Sequence, residues 1–280
     1  MFSYIQSLIS NPKEMIIFFL LALPARAMAL SVHEWAHARM AYRCGDPTAK
    51  MMGRMTLNPA AHLDLLGTIM MAIVGFGWAK PVPVNPRNFR NYRRDDILVS
   101  VAGVAMNLIL FLASYIVCVI VLLIALSTLP EHKTIFTAGS GMCITSYMGE
   151  KVFFSGDGYY MTISDILRNA PLMADYIIAP IWGRMAGYIF EMLQYFVLVN
   201  IALAVFNLIP VPPLDGSHVL ANVLPRNPYR NPKVGQITYL ILLALIFTGT
   251  LGELLSHVTT AAMNGVGSLL YALVQLLGLG

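Results

Sequence analysis

Long apolar runs alternate along this chain with short polar stretches that are mostly basic. Residues 15–42, 97–129, 182–208 and 237–251 form four such runs, and 261–279 is a fifth, broken by Gly265, Gly267 and Gly278. A helix rises about 1.5 Å per residue and a bilayer's hydrocarbon core is about 30 Å thick, so these runs predict membrane-spanning helices. Pro24 predicts a kink in the first. A sixth apolar stretch, 65–78, is interrupted by Gly67, Gly75 and Gly77 and has basic residues on both flanks. A crossing there would put those flanks on opposite sides, which favours a re-entrant or shallow hairpin over a span. Pro81, Pro83 and Pro86 then enforce an extended path through 80–86. The pattern predicts an all-α polytopic membrane protein with four to six membrane helices and a small extended or hairpin region on the cytoplasmic side.

Composition sharpens this picture. Of the 280 residues, 58% are hydrophobic and only 11% charged, against roughly 25% charged in soluble domains. The net charge of +4 is small, and the basic residues cluster. Arg43, Lys50, Arg54, Lys80, Arg87, Arg90, Arg93 and Arg94 lie between the first two runs, and Arg226, Arg230 and Lys233 lie between the third and fourth. The positive-inside rule places both groups on the cytoplasmic side, a membrane-surface bias and not a nucleic-acid footprint. Residues 130–180 are mildly acidic and read as an extracytoplasmic loop insertion in a single domain covering 1–280. Phe153, Phe154, Tyr159 and Tyr160 would let this loop cap the membrane face. Residues 1–12 read as an interfacial lead-in. No removable signal peptide is expected, because the first apolar run also carries the chain's chemistry. Cys44, Cys118 and Cys143 are too scattered for a disulfide framework or a CxxC metal pattern.

That chemistry is Ser31-Val32-His33-Glu34-Trp35-Ala36-His37. Two histidines four apart on a helix share a face one turn apart and can grip one metal ion. The glutamate between them can take a proton from metal-bound water. Such residues are costly in a membrane helix and mark function. A catalytic zinc site normally has three protein ligands, and the best third is Asp215, in Asn207-Leu208-Ile209-Pro210-Val211-Pro212-Pro213-Leu214-Asp215-Gly216. This stretch ends an incoming helix at the same cytoplasmic depth at which the first helix ends. Its three prolines stop that helix, and Gly216 gives the turn that aims the carboxylate. His218 is a spare ligand or a hydrogen-bonded supporter, and His62 reads as a supporter too. His132 and His257 read as loop or interface residues. Arg26 is a snorkelling arginine or a contact to substrate or lipid, Arg39 is an interface anchor, and Glu191 is a carboxylate satisfied by a partner or the interface. Gly103 and Asn107, one turn apart, either pack helices closely or lie near the catalytic centre.

His33-Glu34-Trp35-Ala36-His37 together with Asn207 to Gly216 resembles the site-2 protease family of intramembrane zinc metalloproteases. Each half alone is a modest signal; both, in this order and each at a membrane helix, are a specific one. The likeness continues through Gly53-Arg54-Met55-Thr56-Leu57-Asn58-Pro59 and on to Asp64, and through Gly77-Trp78-Ala79-Lys80-Pro81-Val82-Pro83-Val84-Asn85-Pro86. It resembles compact members without a PDZ or CBS domain and covers nearly all of the chain except 130–180. It implies one zinc ion held by His33, His37 and Asp215, with Glu34 as general base and later proton donor. Asn207 would hold the substrate backbone or steady an oxyanion. Gly103 and Asn107 fit the family's small-residue motif, although Val104 stands where relatives often have proline. The implied activity is hydrolysis of peptide bonds within or near transmembrane segments of membrane proteins. Its partners would be a transmembrane protein substrate and the bilayer, and not nucleic acid. Extended backbone at 80–85 or 51–57 would pair with the opened substrate as an added strand. Two rivals share the buried ligands: a non-hydrolytic membrane metal-binding or transport protein, and an inactive scaffold for membrane segments. The Glu34 placement argues against the first, and the intact ligand set with its base against the second.

Overall fold

The computed structural model describes residues 9–74, 77–128, 135–136, 143–147, 150–154, 160–161, 170–172 and 177–276. Most of the 130–180 loop, much of the 1–12 lead-in, and Gly75, His132 and Gly278 lie outside the described residues. The described chain is predominantly helical. Helix α1 is Pro12–Cys44, with Pro24 inside it, and a single short turn, α2, is Thr48–Met51. Helix α3 is Leu65–Val74, α4 is Tyr92–Ser127 and α5 is Ala179–Trp182. Arg184–Asn207 forms α6, Asp215–Val223 forms α7, Pro232–Thr248 forms α8 and Thr250–Leu276 forms α9.

Three of these helices are long and apolar enough to cross a membrane: Met15–Cys44 within α1, Tyr92–Ala125 within α4, and α6. Their outward faces fit a lipid environment. Ile109, Leu112, Ile116, Ile120 and Ile124 of α4 are exposed, as are Met185 and Ile189 of α6. Apolar patches of that size are rare on soluble monomers. The end of the chain differs from the sequence pattern. Separate spans were expected at 237–251 and 261–279, but the helix breaks at Gly249 and then runs unbroken through the expected gap. Gly249 has a φ of 85°, the left-handed region that glycine enters without a steric penalty. Helices α8 and α9 are bent by 80° there and count together as one broken span or re-entrant pair, so the described residues hold three candidate spans, or up to four with this pair, which reaches the lower end of the expected four to six.

In the 65–78 stretch the described helix is short. Helix α3 has 10 residues, about half of what a span needs. Its exit returns to its entrance: Leu63 and Ala79 form an antiparallel bridge, and Lys80 N–H donates to His62 O at 2.7 Å. One feature adds to the all-α expectation. Strands β1 (Ile135–Phe136), β2 (Cys143–Tyr147), β3 (Glu150–Phe154) and β4 (Tyr160–Met161) form an antiparallel sheet in sequence order. Cys143 pairs with Phe154 and Tyr147 with Glu150 across its central pair.

By backbone proximity the chain divides into two compact units. The first comprises the residues up to Leu110 with Val199–Val258, and the second Phe111–Leu198 with the residues from Thr259 onward. Three small apolar clusters hold the first together. Val82 is buried against Ala38 and Ala49, with Met55 alongside. Val99 packs on Ala41 and Cys44, flanked by Val84 and Phe89. Leu214 packs on Leu242 and Leu251, flanked by Phe206 and Val211. In the second unit Tyr115, Leu122, Ile177 and Val197 are fully buried. Tyr195 donates to Glu191 there at 2.6 Å, so that carboxylate is satisfied by a partner.

Candidate metal centre

Helix α1 presents His33 and His37 on one face, their ring centroids 4.5 Å apart and their planes at 85°. The two Nε2 atoms are 2.9 Å apart. His37 Nδ1 lies 2.8 Å from the carbonyl oxygen of Val99 in α4. A carbonyl only accepts, so Nδ1 carries the proton and Nε2 of the neutral ring is left with its lone pair. Space for both rings comes from α4: a Cβ on Gly103 would sit 2.5 Å from His37 Nε2 and 2.6 Å from His33 Cε1. Asp96, Val99, Gly103 and Asn107 fall at helical spacing along one stripe of α4.

The third group arrives from far along the chain. After α6 the segment Leu208–Leu214 turns tightly, with Val211 N–H donating to Ile209 O at 2.8 Å, Leu214 N–H to Val211 O at 2.9 Å, and a cis bond between Pro212 and Pro213. Tyr229 donates its hydroxyl to Pro210 O. Asp215 is the first residue of α7, where the helix dipole favours an anion. Gly216 serves a different end from the one its sequence suggested. It lies within the helix, and a Cβ there would collide with the backbone of Leu208 and Ile209. Close approach, and not a turn, requires the glycine.

Asp215 Oδ2 lies 3.3 Å from His33 Nε2 and 3.4 Å from His37 Nε2. One ligand atom from each of the three residues falls within 4.8 Å of the others, a group that could hold a metal ion. Zinc bonds of about 2.0–2.1 Å in tetrahedral array put neighbouring ligand atoms roughly 3.3 Å apart, close to the three edges seen here. Asp215 Oδ2 is also buried without a hydrogen-bond partner. Leaving such an atom unsatisfied costs about 1–3 kcal/mol, and a cation at the centre would satisfy it together with both nitrogens. The donor set therefore fits zinc.

Glu34 Oε2 accepts from Val82 N–H at 2.7 Å, a partner that nothing in the sequence announces. His62 is fully buried and its Nε2 bonds Thr56 O at 2.8 Å, bracing the loop before α3. His218 is not part of the ligand group. Its Nδ1 lies 3.3 Å from Asp96 Oδ2, and Asn222 donates to the same oxygen at 2.5 Å. That bond to Asp96 holds the His218 pKa above its ordinary 6.5, against the effect of burial. Asn207 donates its amide to Leu203 O in its own helix at 3.0 Å. Asn107 is fully buried, and neither its amide nitrogen nor its amide oxygen has a hydrogen-bond partner. The Arg26 guanidinium stacks 5.5 Å from the Phe18 ring centroid. Of the two segments proposed to receive a substrate strand, Met51 closes α2. In the other, the amides of Lys80, Val82 and Asn85 are already engaged by His62, Glu34 and Asp46.

Comparison with known proteins covers both halves of this arrangement. The model of peptidase family M50 matches residues 18–249. The chain is 33% identical over 198 residues to "Putative zinc metalloprotease YwhC" of Bacillus subtilis (strain 168), covering 71% of this chain and 66% of that protein. It is 33% identical over 105 residues to "Putative zinc metalloprotease Rip2" of Mycolicibacterium smegmatis, covering 36% of this chain and 40% of that protein. It thus spans just under two thirds of the first relative and two fifths of the second. No solved structure matches.

Proposed function

This chain belongs to peptidase family M50, and from that membership we propose that it is an intramembrane zinc metalloprotease of multi-pass topology. It hydrolyses peptide bonds within or near transmembrane segments of membrane proteins, in the manner of regulated intramembrane proteolysis. One observation carries the reading: His33 and His37, one turn apart on a membrane helix, meet a carboxylate 178 positions further along the chain, with Glu34 set between them. A transport pathway would need a succession of such groups; among the described residues this is the one cluster of three or more.

His33 Nε2, His37 Nε2 and Asp215 Oδ2 would hold the ion. Zinc bound there supplies a Lewis acid that polarises a carbonyl oxygen and lowers the pKa of water towards about 7. Glu34 accepts the proton of the attacking water and returns it to the leaving amine. Val99 keeps the His37 proton on Nδ1, so that the Nε2 lone pair would be free to bind an ion. Asn107 offers a buried amide without a partner, suited to a substrate carbonyl or a developing oxyanion; Asn207 gives one of the two N–H groups of its amide to Leu203 O in its own helix, and the second could serve the same end. His218, bonded to Asp96, supports α7 and stands in reserve as a ligand. A substrate helix must unwind locally, because its amides are tied up in its own hydrogen bonds. The basic residues between α1 and α4 support a site near the cytoplasmic face of the cell membrane.

The test is zinc analysis beside cleavage of a panel of single-span reporters in vesicles. Glu34→Gln should retain zinc and lose cleavage by roughly 10²–10⁴-fold. Asp215→Ala should lose bound zinc, and full zinc retention in that variant would break the ligand assignment.

A further inference from the structure

Residues 80–86, Lys-Pro-Val-Pro-Val-Asn-Pro, reach Glu34 as a strap fastened on several sides. Lys80 N–H donates to His62 O at 2.7 Å. Arg54 Nη2 donates to Lys80 O at 2.8 Å and to Pro81 O at 3.3 Å. Asn85 N–H donates to Asp46 Oδ2 at 2.7 Å. Between these ties Val82 docks at two points. Its side chain is buried against Ala38 and Ala49, and its amide donates to Glu34 Oε2 at 2.7 Å. Ala38 lies one helical turn beyond Glu34 in α1, so side chain and amide grip the same face of the same helix. Pro81 and Pro83 have no N–H, so sequence alone makes Val82 the one donor between them.

A free glutamate side chain loses rotamer entropy on being fixed, and a general base must present one oxygen to water within hydrogen-bond reach. We propose that the Val82 backbone amide is a positioning group for the Glu34 base: it occupies Oε2 and leaves Oε1 as the oxygen that receives the proton of water. The strap is then a fixed part of the catalytic apparatus, and its central amide is not offered to a substrate strand. The inference rests on the protease reading above and adds a backbone group to it. The neighbouring prolines, the Arg54 clamp on two successive carbonyls and the Asp46 tie would all serve to hold that one donor in place.

The test compares wild type, Val82→Ala, Val82→Pro and Arg54→Ala, in full-length protein. It uses a fluorescent single-span reporter in phosphatidylcholine vesicles, with zinc content and thermal midpoint measured for each. Val82→Ala keeps the amide but trims the docking side chain, so its loss of kcat should be clearly smaller than that of Val82→Pro, with the lost packing appearing in the thermal midpoint. Val82→Pro removes the donor and should lower kcat roughly 10- to 100-fold at unchanged KM and unchanged zinc. If Val82→Pro fails to fold or loses zinc, Arg54→Ala decides. It frees the strap without touching the amide and should lower kcat about three- to tenfold at unchanged zinc. Wild-type kcat in folded Val82→Pro, equal damage in Val82→Ala and Val82→Pro, or wild-type kcat in Arg54→Ala when that variant decides would each overturn the proposal. Failure of the wild type to cleave any reporter would instead overturn the protease reading, and this inference with it.

Discussion

Gly103 shows how little tolerance the centre has at the scale of a single residue. Its missing side chain is the space that His33 and His37 occupy, since a methyl group there would lie 2.5 Å from a ligand nitrogen. The two buried rings leave few ways to yield. Gly103→Ala should cost about 1–3 kcal/mol of stability and reduce zinc retention, read together by thermal unfolding and metal analysis of the purified protein. Normal zinc content with an unchanged midpoint would mean that the rings move aside freely. His37 and His33 also differ in support. His37 Nδ1 bonds the Val99 carbonyl, whereas His33 Nδ1 is buried without a hydrogen-bond partner.

At the scale of elements, the end of α1, the short helix α2 and the strap are joined by one buried carboxylate. Asp46 is fully buried and accepts from Thr48 N–H at 3.1 Å, Asn85 N–H at 2.7 Å and Asn88 Nδ2 at 2.8 Å, and also from the Thr48 hydroxyl. Burial alone would raise its pKa, but these donors outweigh it and hold the carboxyl below its ordinary 3.8. A depressed folded pKa contributes stability that is fully present above the unfolded value and is lost as pH falls through the folded one. Asp46→Asn should therefore be less stable than wild type by about 1.5–3 kcal/mol at pH 7. The gap should persist at pH 5 and close only below about pH 4, as measured by denaturation midpoints in detergent across pH. A gap that closed between pH 6 and 8 would assign the effect to another group.

For the whole molecule, the distribution of charge and the three candidate spans make a topological prediction. Arg43 at the end of α1 and Asn227 in the loop after α7 belong to the same unit and, in the proposed orientation, to the same membrane side. In a background lacking Cys44, Cys118 and Cys143, single cysteines at positions 43 and 227 should both react with an impermeant thiol reagent added to the cytoplasmic side of sealed vesicles. Neither should react from the other side. Labelling of the two positions from opposite sides would overturn the orientation and require another crossing between them.

Sequence by itself determined the long helices and the histidine pair of the candidate centre, because both are local. A bilayer requires continuous apolar runs with every backbone group bonded within the segment, and i, i+4 spacing puts two histidines on one helix face wherever that helix goes. The resemblance carried by residues 33–37 and 207–216 joined Asp215 to them without coordinates. Where α8 stops was less legible. Gly249 ends it through a backbone conformation, while the apolar pattern around it points to a later break. Tertiary structure alone decided the rest. Val82 N–H on Glu34, Val99 O on His37 and Asp96 beneath His218 are contacts between segments 48, 62 and 122 positions apart, and two of the three use backbone groups that every residue type possesses. A peptide amide or carbonyl carries no mark in the sequence of the partner it will meet. Only the packing of α1, α4, α7 and the strap selects it.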